Sequence, residues 1–320
     1  MINNPVSLVI GITNQCNLSC KFCFNGKHAI KYSNSIKRGV MSLATFKEIL
    51  CQAKGFVSHI ELGLFGEPTI HPYFIEMVTL AVNEGFSVGV YSNGTLLNSE
   101  ISQQLLQTGL TSITISVDGM TDDEYEQIRS GGRYHIVEDN LKFLLAYRKK
   151  IKKNLPLIGI RSVLFSDTLD QKKIKRRFVD RLGVDFISFA PLDNWNGTVN
   201  INNDSTSFTI TENRYSFNRC EFPWMVLSVN WNGDILPCCD DYMGKNILGN
   251  VNKQNLQSIW NGKQLKTIRL ALKSRSFNQI IKNTGCASCS MLHRKSIPKK
   301  LEFNLILVAL RETWKRLLDA

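Results

Sequence analysis

Apolar, strand-like runs alternate with amphipathic, helix-like segments along the first part of this chain, and that alternation limits its fold more than any other feature. The predicted strands are Ser7–Thr13, His59–Phe65, Ser87–Ser92, Ser112–Val117, Leu157–Leu164 and Asp185–Ala190. Helical patterns fall between them, near Ser42–Ala53, Pro72–Glu84, Ser99–Thr108, Val137–Lys149 and Asp170–Leu182. Ser42 and Asn98 supply N-cap chemistry, and Gly183 is placed to close the last helix. A repeated βα pattern predicts a parallel sheet wrapped by helices. Periodicity alone leaves two architectures open, a partial barrel and an open doubly wound sheet. Either one puts function at the C-terminal ends of the strands.

The alternation stops after about Pro191. Residues 193–219 are polar and read as a linker. A hairpin is expected next, from Met225–Asn230 through Asn232-Gly233 to Asp234–Pro237, because Asn-Gly favours a tight turn. Helical segments near Leu256–Asn261 and Gln264–Lys273 follow. The expected units are residues 1–192, the linker, a small unit over 220–295, and an amphipathic tail over 296–320.

Cys16, Cys20 and Cys23 lie in the loop after the first strand, spaced C-x3-C-x2-C. Taken alone, three thiols are also consistent with zinc ligands or buried thiols. They can equally hold three corners of a four-iron cube and leave one iron open to a chelating ligand. The spacing, its place after a strand, and Phe22 before the last cysteine resemble the signature of the radical S-adenosylmethionine (radical SAM) superfamily. The resemblance implies a six-stranded partial (β/α) barrel and a catalytic [4Fe–4S] cluster on these cysteines. It also implies S-adenosylmethionine on the open iron, with Phe22 near the adenine.

Other motifs follow in the order that this resemblance implies. Gly66-Glu67-Pro68 is similar to the family's G-G-E-P turn, with Phe65 in place of the first glycine, and would offer backbone groups to the methionine ammonium. Ser92-Asn93-Gly94 ends the third strand as the family's S-N-G element does. Ser116-Val117-Asp118-Gly119, then Tyr125, Ile128 and Arg129, resembles an S-x-D-G…Y-x-x-I-R pattern. There Ser116 and Arg129 would contact the cofactor carboxylate, and an arginine fork suits that contact. Ala190, at the end of the sixth strand, lies where relatives pack the adenine. Each residue also has a plain structural reading: a turn, a helix cap at Ser116, a surface ion pair at Arg129, a core role at Ala190.

Cys220, Cys238, Cys286 and Cys289 form a second set, around the hairpin and its helices. Four thiols can also hold structural zinc. The set resembles the SPASM module in its shortened "twitch" form, which implies one auxiliary [4Fe–4S] cluster with no open iron, suited to electron transfer or structure. Cys239, beside Cys238, is either a spare thiol or a hydrogen-atom donor to a substrate radical. Cys51 reads as a core thiol.

Nine cysteines with no visible secretory signal suit a reducing cytoplasm. The net charge is +12, with basic runs at residues 148–153 and 172–177. Those runs read as solvated helix faces or as attraction for an anionic partner, and no nucleic-acid motif accompanies them. The tail reads as a docked helix or as a peripheral membrane contact. The family resemblance implies a small-molecule substrate, a sugar or aminocyclitol oxidised at a hydroxyl-bearing carbon, and a flavodoxin- or ferredoxin-like electron donor. A radical epimerase using Cys239, a peptide-modifying enzyme and a redox sensor are the alternatives. The short chain, with no leader-recognition extension in view, disfavours the peptide.

Overall fold

The computed structural model describes residues 4–26, 36–164, 171–195, 220–274, 284–289 and 292. The expected tail and nearly all of the expected linker lie outside the described residues. Six parallel strands form the frame: β1 (Ser7–Ile10), β2 (His59–Leu62), β3 (Ser87–Ser92), β4 (Ser112–Ser116), β5 (Leu157–Leu164) and β6 (Phe186–Pro191). They run in spatial order β6-β5-β4-β3-β2-β1, with every neighbour parallel. This is the partial barrel rather than a doubly wound sheet, because the strand order never reverses.

The helices in this half are α1 (Leu43–Ala53), α2 (Phe74–Asn83), α3 (Ser99–Gln107), α4 (Asp122–Ile128), α5 (Tyr134–Lys150) and α6 (Gln171–Lys175). A π-helical turn, Arg176–Leu182, extends α6 and ends on Gly183 in the left-handed conformation, φ 80°. Period-two alternation sets the sheet's two faces. Leu8, Ile10, Ile60, Leu62, Val88, Val90, Ile113 and Ile115 form one core with Phe46, Ile49, Met77, Leu105 and Leu141 of the helices. The other face carries His59, Glu61, Tyr91, Thr114 and Arg161. Side-chain oxygens of Ser42, Asn98 and Thr121 accept from Thr45, Ile101 and Glu124 amides, each cap contributing about 1 kcal/mol.

The C-terminal elements are α7 (Phe222–Met225), β7 (Val226–Val229), β8 (Asp234–Leu236), β9 (Gly249–Asn250), α8 (Leu256–Trp260) and α9 (Lys263–Ser274). The expected hairpin is β7–β8, antiparallel. It does not stand apart from the barrel. β7 pairs in parallel with β1, Ser7 opposite Val226 and Ile10 opposite Val229, so one nine-stranded sheet runs through both regions. The α1 side chain of Gln52 fastens the joint, accepting from the Leu256 amide at 2.9 Å and donating to the Val251 carbonyl at 3.2 Å. Arg269 lies 4.0 Å from the Trp260 ring centroid and donates to the Pro223 carbonyl, which ties α9 to α8 and α7.

Cys51 corrects a sequence expectation: it is exposed. The buried stripe of α1 is Phe46, Ile49, Leu50 and Ala53, and Cys51 falls off that stripe.

Candidate active site

All the barrel motifs collect where the fold requires, in loops that leave the C-terminal ends of β1 to β4. The Cys16–Cys23 loop follows β1. It lies on the segment after α4, with the Ser19 amide donating to the Ser130 carbonyl and the Lys21 amide to the Ile128 carbonyl, both at 2.9 Å. Donors turn toward its sulfurs. The Leu18 and Asn25 amides lie 3.4 Å from the Cys16 and Cys23 sulfurs. Asn93 Nδ2 is 3.8 Å from the Cys16 sulfur, and Arg129 Nη1 is 4.0 Å from the Cys20 sulfur.

Gly66 lets the β2 loop touch this one. A Cβ there would fall 2.4 Å from the Gln15 carbonyl oxygen and 2.5 Å from that of Thr13, both fixed backbone. The Glu67 amide donates to the Gln15 carbonyl at 2.8 Å. The Glu67 side chain is buried and fully engaged. Its carboxylate accepts from the Thr69 hydroxyl at 2.6 Å, the Ser92 hydroxyl at 2.8 Å and the Asn93 amide at 2.6 Å. Burial pushes its pKa up, and those hydrogen bonds work against the rise. Glu67 and Ser92 therefore shape the turn by joining the ends of β2 and β3. Of these three, Asn93 reaches the cysteine loop with its side chain, through its contact with the Cys16 sulfur and a 2.9 Å bond to Asn17 Oδ1.

Arg129 is buried, not on the surface. Its Nε and Nη2 close on Asp118 Oδ2 at 2.7 and 2.6 Å. Burial works against its charge, but Asp118 and Cys20 more than offset that and hold its pKa above the ordinary value. Asp118 Oδ1 accepts from the Val163 amide at 2.6 Å. The Phe22 ring lies under the guanidinium, 5.4 Å away. Ser116 ends β4 opposite Arg161, and Thr121, not Ser116, caps α4. Ala190 lies opposite Val163 on β6. No hydrogen bond between the described residues joins Ser116 or Ala190 to the cysteine loop.

Two features were not read from the sequence. Arg38 bridges the two ends of the cysteine loop, donating to the Asn14 carbonyl at 2.7 Å and to Asn25 Oδ1. A second core joins Phe24, Phe65, Leu192, Leu236 and Tyr242, with Phe22, Cys23 and Trp195 packed against it. Phe65, standing where the family pattern has glycine, is thus a core residue. The aromatic run Phe22-Cys23-Phe24 and the acidic pair Asp240-Asp241 were the available signals.

The thiols suit iron–sulfur ligation. Cys16, Cys20 and Cys23 are near enough to influence one another. Burial pushes Cys16 up to about 11, with Glu67 and Cys20 adding to the rise, and pushes Cys23 higher, with Cys20 and Cys16 adding. Amides, Asn93 and the Arg129 charge face those sulfurs, which is what an anionic thiolate cluster needs. In the second set, Cys238 feels the charge of Cys286, and Cys289 that of Cys220 and Cys286, so the four thiols share one electrostatic neighbourhood. Among the described residues no three His, Cys, Asp or Glu side chains close on a single metal ion. Cys239 shares the neighbours Asp240 and Asp193 with Cys289 and adds Arg161 from β5.

Comparison with known proteins agrees with this geometry. A model of the radical SAM superfamily matches residues 10–169, half of the chain. A model of an iron–sulfur cluster-binding domain, SPASM, matches residues 220–290. A tungsten-containing aldehyde ferredoxin oxidoreductase cofactor-modifying protein of Pyrococcus furiosus is 25% identical over 89% of this chain and 87% of its own. Three other curated relatives, an Fe-coproporphyrin III synthase of Methanosarcina barkeri, the mycofactocin maturase MftC of Mycobacterium tuberculosis and the sporulation killing factor maturation protein SkfB of Bacillus subtilis, are matched over less than half of their own length. Among solved structures, Streptococcus suis SuiB bound to precursor peptide SuiA aligns with a TM-score of 0.67 at 19% identity, over 90% of this chain and 70% of that one. BtrN in complex with AdoMet and 2-DOIA aligns with a TM-score of 0.57 at 19% identity, over 90% and 94%. At such identities these two likenesses speak for the fold alone.

Proposed function

We propose that this chain, which belongs to the radical SAM superfamily and carries a SPASM iron–sulfur domain, oxidises a hydroxyl-bearing carbon of a small sugar- or polyol-like molecule. When bound, the open-cornered cluster and S-adenosylmethionine supply hydrogen abstraction from an unactivated C–H bond, and the auxiliary cluster supplies a one-electron acceptor. Cys16, Cys20 and Cys23 would hold the first cluster, and Cys220, Cys238, Cys286 and Cys289 the second. Gly66 and the backbone it brings against Gln15 would receive the methionine ammonium. Ser116 and Arg129 would face its carboxylate, with Asp118 keeping Arg129 charged and oriented. Phe22 and Ala190 would border the adenine.

One observation carries the oxidative reading. The segment that bears Cys238 also bears Tyr242, which stacks on Phe24 of the first cysteine loop with centroids 3.4 Å apart. That stack joins the segment that carries an expected acceptor ligand to the loop that carries the expected donor ligands, which supports an electron path between the two clusters. A net charge of +12 favours an acidic flavodoxin- or ferredoxin-like reductant.

The test is anaerobic incubation of the reduced, iron-loaded protein with panels of polyols, aminocyclitols and peptides, following 5'-deoxyadenosine and carbonyl product together. Equal amounts of both from a polyol support the proposal; cleavage stimulated only by peptides removes it. Cys239 favours a second reading, epimerisation, because it is half-buried and neighbours Arg161 on the barrel's inner face. C239A separates the two: an oxidase keeps its carbonyl product, whereas an epimerase loses turnover while still cleaving the cofactor.

A further inference from the structure

Tyr242 is a buried residue whose hydroxyl has no hydrogen-bond partner among the described residues. Its ring is placed without ambiguity: stacked on Phe24, edge-on to Phe65 at 5.3 Å, and packed in the core that Cys23 joins. A phenylalanine would fill the same stack and leave no polar group stranded. A phenol in such a place needs an acceptor when the protein is complete.

The surroundings narrow that acceptor down. Tyr242 is rigidly presented, because the buried Asp241 carboxylate accepts from the Lys245 and Asn246 amides at 3.0 and 2.8 Å and fixes the turn. Phe24, Phe65, Leu192, Leu236 and Trp195 around it present hydrocarbon or, for Trp195, a donor already given to the Phe22 carbonyl at 2.9 Å. Arg38 at the loop's ends offers only donors. Among the described side chains of this core, the sulfur of Cys23 is an acceptor near enough to act on the phenol, although the two are not hydrogen-bonded to each other as they stand. A neutral thiol is a weak acceptor. A thiolate bound to iron, with the cluster's sulfides behind it, is a much better one.

We propose that Tyr242 is a positioning residue of the catalytic cluster: its hydroxyl donates a hydrogen bond to the sulfur at the Cys23 corner and raises that cluster's reduction potential. Hydrogen bonds to cluster sulfurs are a recognised control on potential. The donor comes from the segment of the second cysteine set, four residues after Cys238. The two iron–sulfur sites are thus linked mechanically, and a shift of one set moves a hydrogen bond at the other. This inference rests on the assignment of Cys16, Cys20 and Cys23 to the open-cornered cluster.

The test uses the full chain, loaded with iron and sulfide under anaerobic conditions. The catalytic cluster is identified as the one whose reduced EPR signal changes on addition of S-adenosylmethionine. Its midpoint potential is measured for wild type and Y242F, and both are exchanged into heavy water for deuterium ENDOR. A more negative potential in Y242F at wild-type iron content, with loss of one exchangeable deuterium coupling, supports the proposal. Equal potentials and identical couplings overturn it. If Y242F fails to hold iron, a fluorinated tyrosine at 242 decides instead. The more acidic hydroxyl donates more strongly and is expected to raise the potential, and an unchanged value overturns the proposal. Wild type with no cluster sensitive to S-adenosylmethionine would fail the functional assignment itself, a different result from any of these.

Discussion

Arg129 Nε and Nη2 both close on one oxygen of Asp118, at 2.7 and 2.6 Å, in a place where the carboxylate has no exposed surface. Breaking a buried pair by neutralising one partner leaves the other charge stranded and costs about 3 kcal/mol. D118N is therefore expected to lower the melting temperature under anaerobic conditions by roughly 4–8 °C. It should also loosen the cysteine loop, since Arg129 loses the group that aims it at Cys20. An unchanged melting curve would show that Arg129 finds equal support elsewhere.

Phe65 replaces a glycine of the family turn with an aromatic core residue. F65G would restore the family pattern and empty the space between Phe24 and Tyr242. Loss of a buried phenylalanine costs about 3–5 kcal/mol. Reduced stability and slower iron loading are expected. Wild-type melting and loading in F65G would mean that the second core does not support the loop.

Gly66 is expected to tolerate no side chain. In G66A the new methyl would meet the backbone oxygens of Gln15 and Thr13, which have no freedom to retreat. Iron bound per chain at the first site should fall sharply, measured against G85A, where the φ of 89° strains any side chain but a new Cβ would meet nothing within 4 Å. Equal iron in both variants would contradict the close packing of the two loops.

His71 gives the fold a pH dependence with a definite sign. Its Nε2 donates to the Met41 carbonyl at 2.9 Å, and its Nδ1 accepts from the Tyr73 amide at 3.0 Å. A proton on Nδ1 would break the second bond. Burial lowers its pKa below the ordinary 6.5. The unfolded chain then binds the proton first, so this contribution is complete above about pH 6.5 and declines as pH falls below it. Melting temperature is expected to drop between pH 7.5 and pH 5.5, and to drop less in H71Q. Identical slopes for both proteins would rule His71 out as the source.

Much of the barrel was legible because strand periodicity and caps are local signals. β3 and β5 have the expected bounds, and β1 and β2 end three residues early, where the chain bends into the site loops. The short helix α4 was missed, since Asp122, Asp123 and Glu124 in its first turn hide any apolar period. The cysteines could be grouped from spacing. The pairing of β7 with β1 could not, because a long-range edge contact leaves no mark in either strand's own sequence. Nor could the role of Glu67, whose carboxylate turns inward to join two strand ends. Phe65 read as a departure from a motif, and only its neighbours from 24 and 242 reveal why an aromatic ring fits there.

The most direct measurement combines iron content and cofactor cleavage on one anaerobic preparation. Two cubes require about eight irons and eight sulfides per chain. C16A, C20A and C23A are each expected to lose about half of that iron and all reductive release of 5'-deoxyadenosine, and C238A to lose the other half while retaining cleavage. A wild-type protein that holds its iron but never releases 5'-deoxyadenosine on reduction, or that cleaves as well without Cys16, would contradict the placement of the open-cornered cluster at the end of β1.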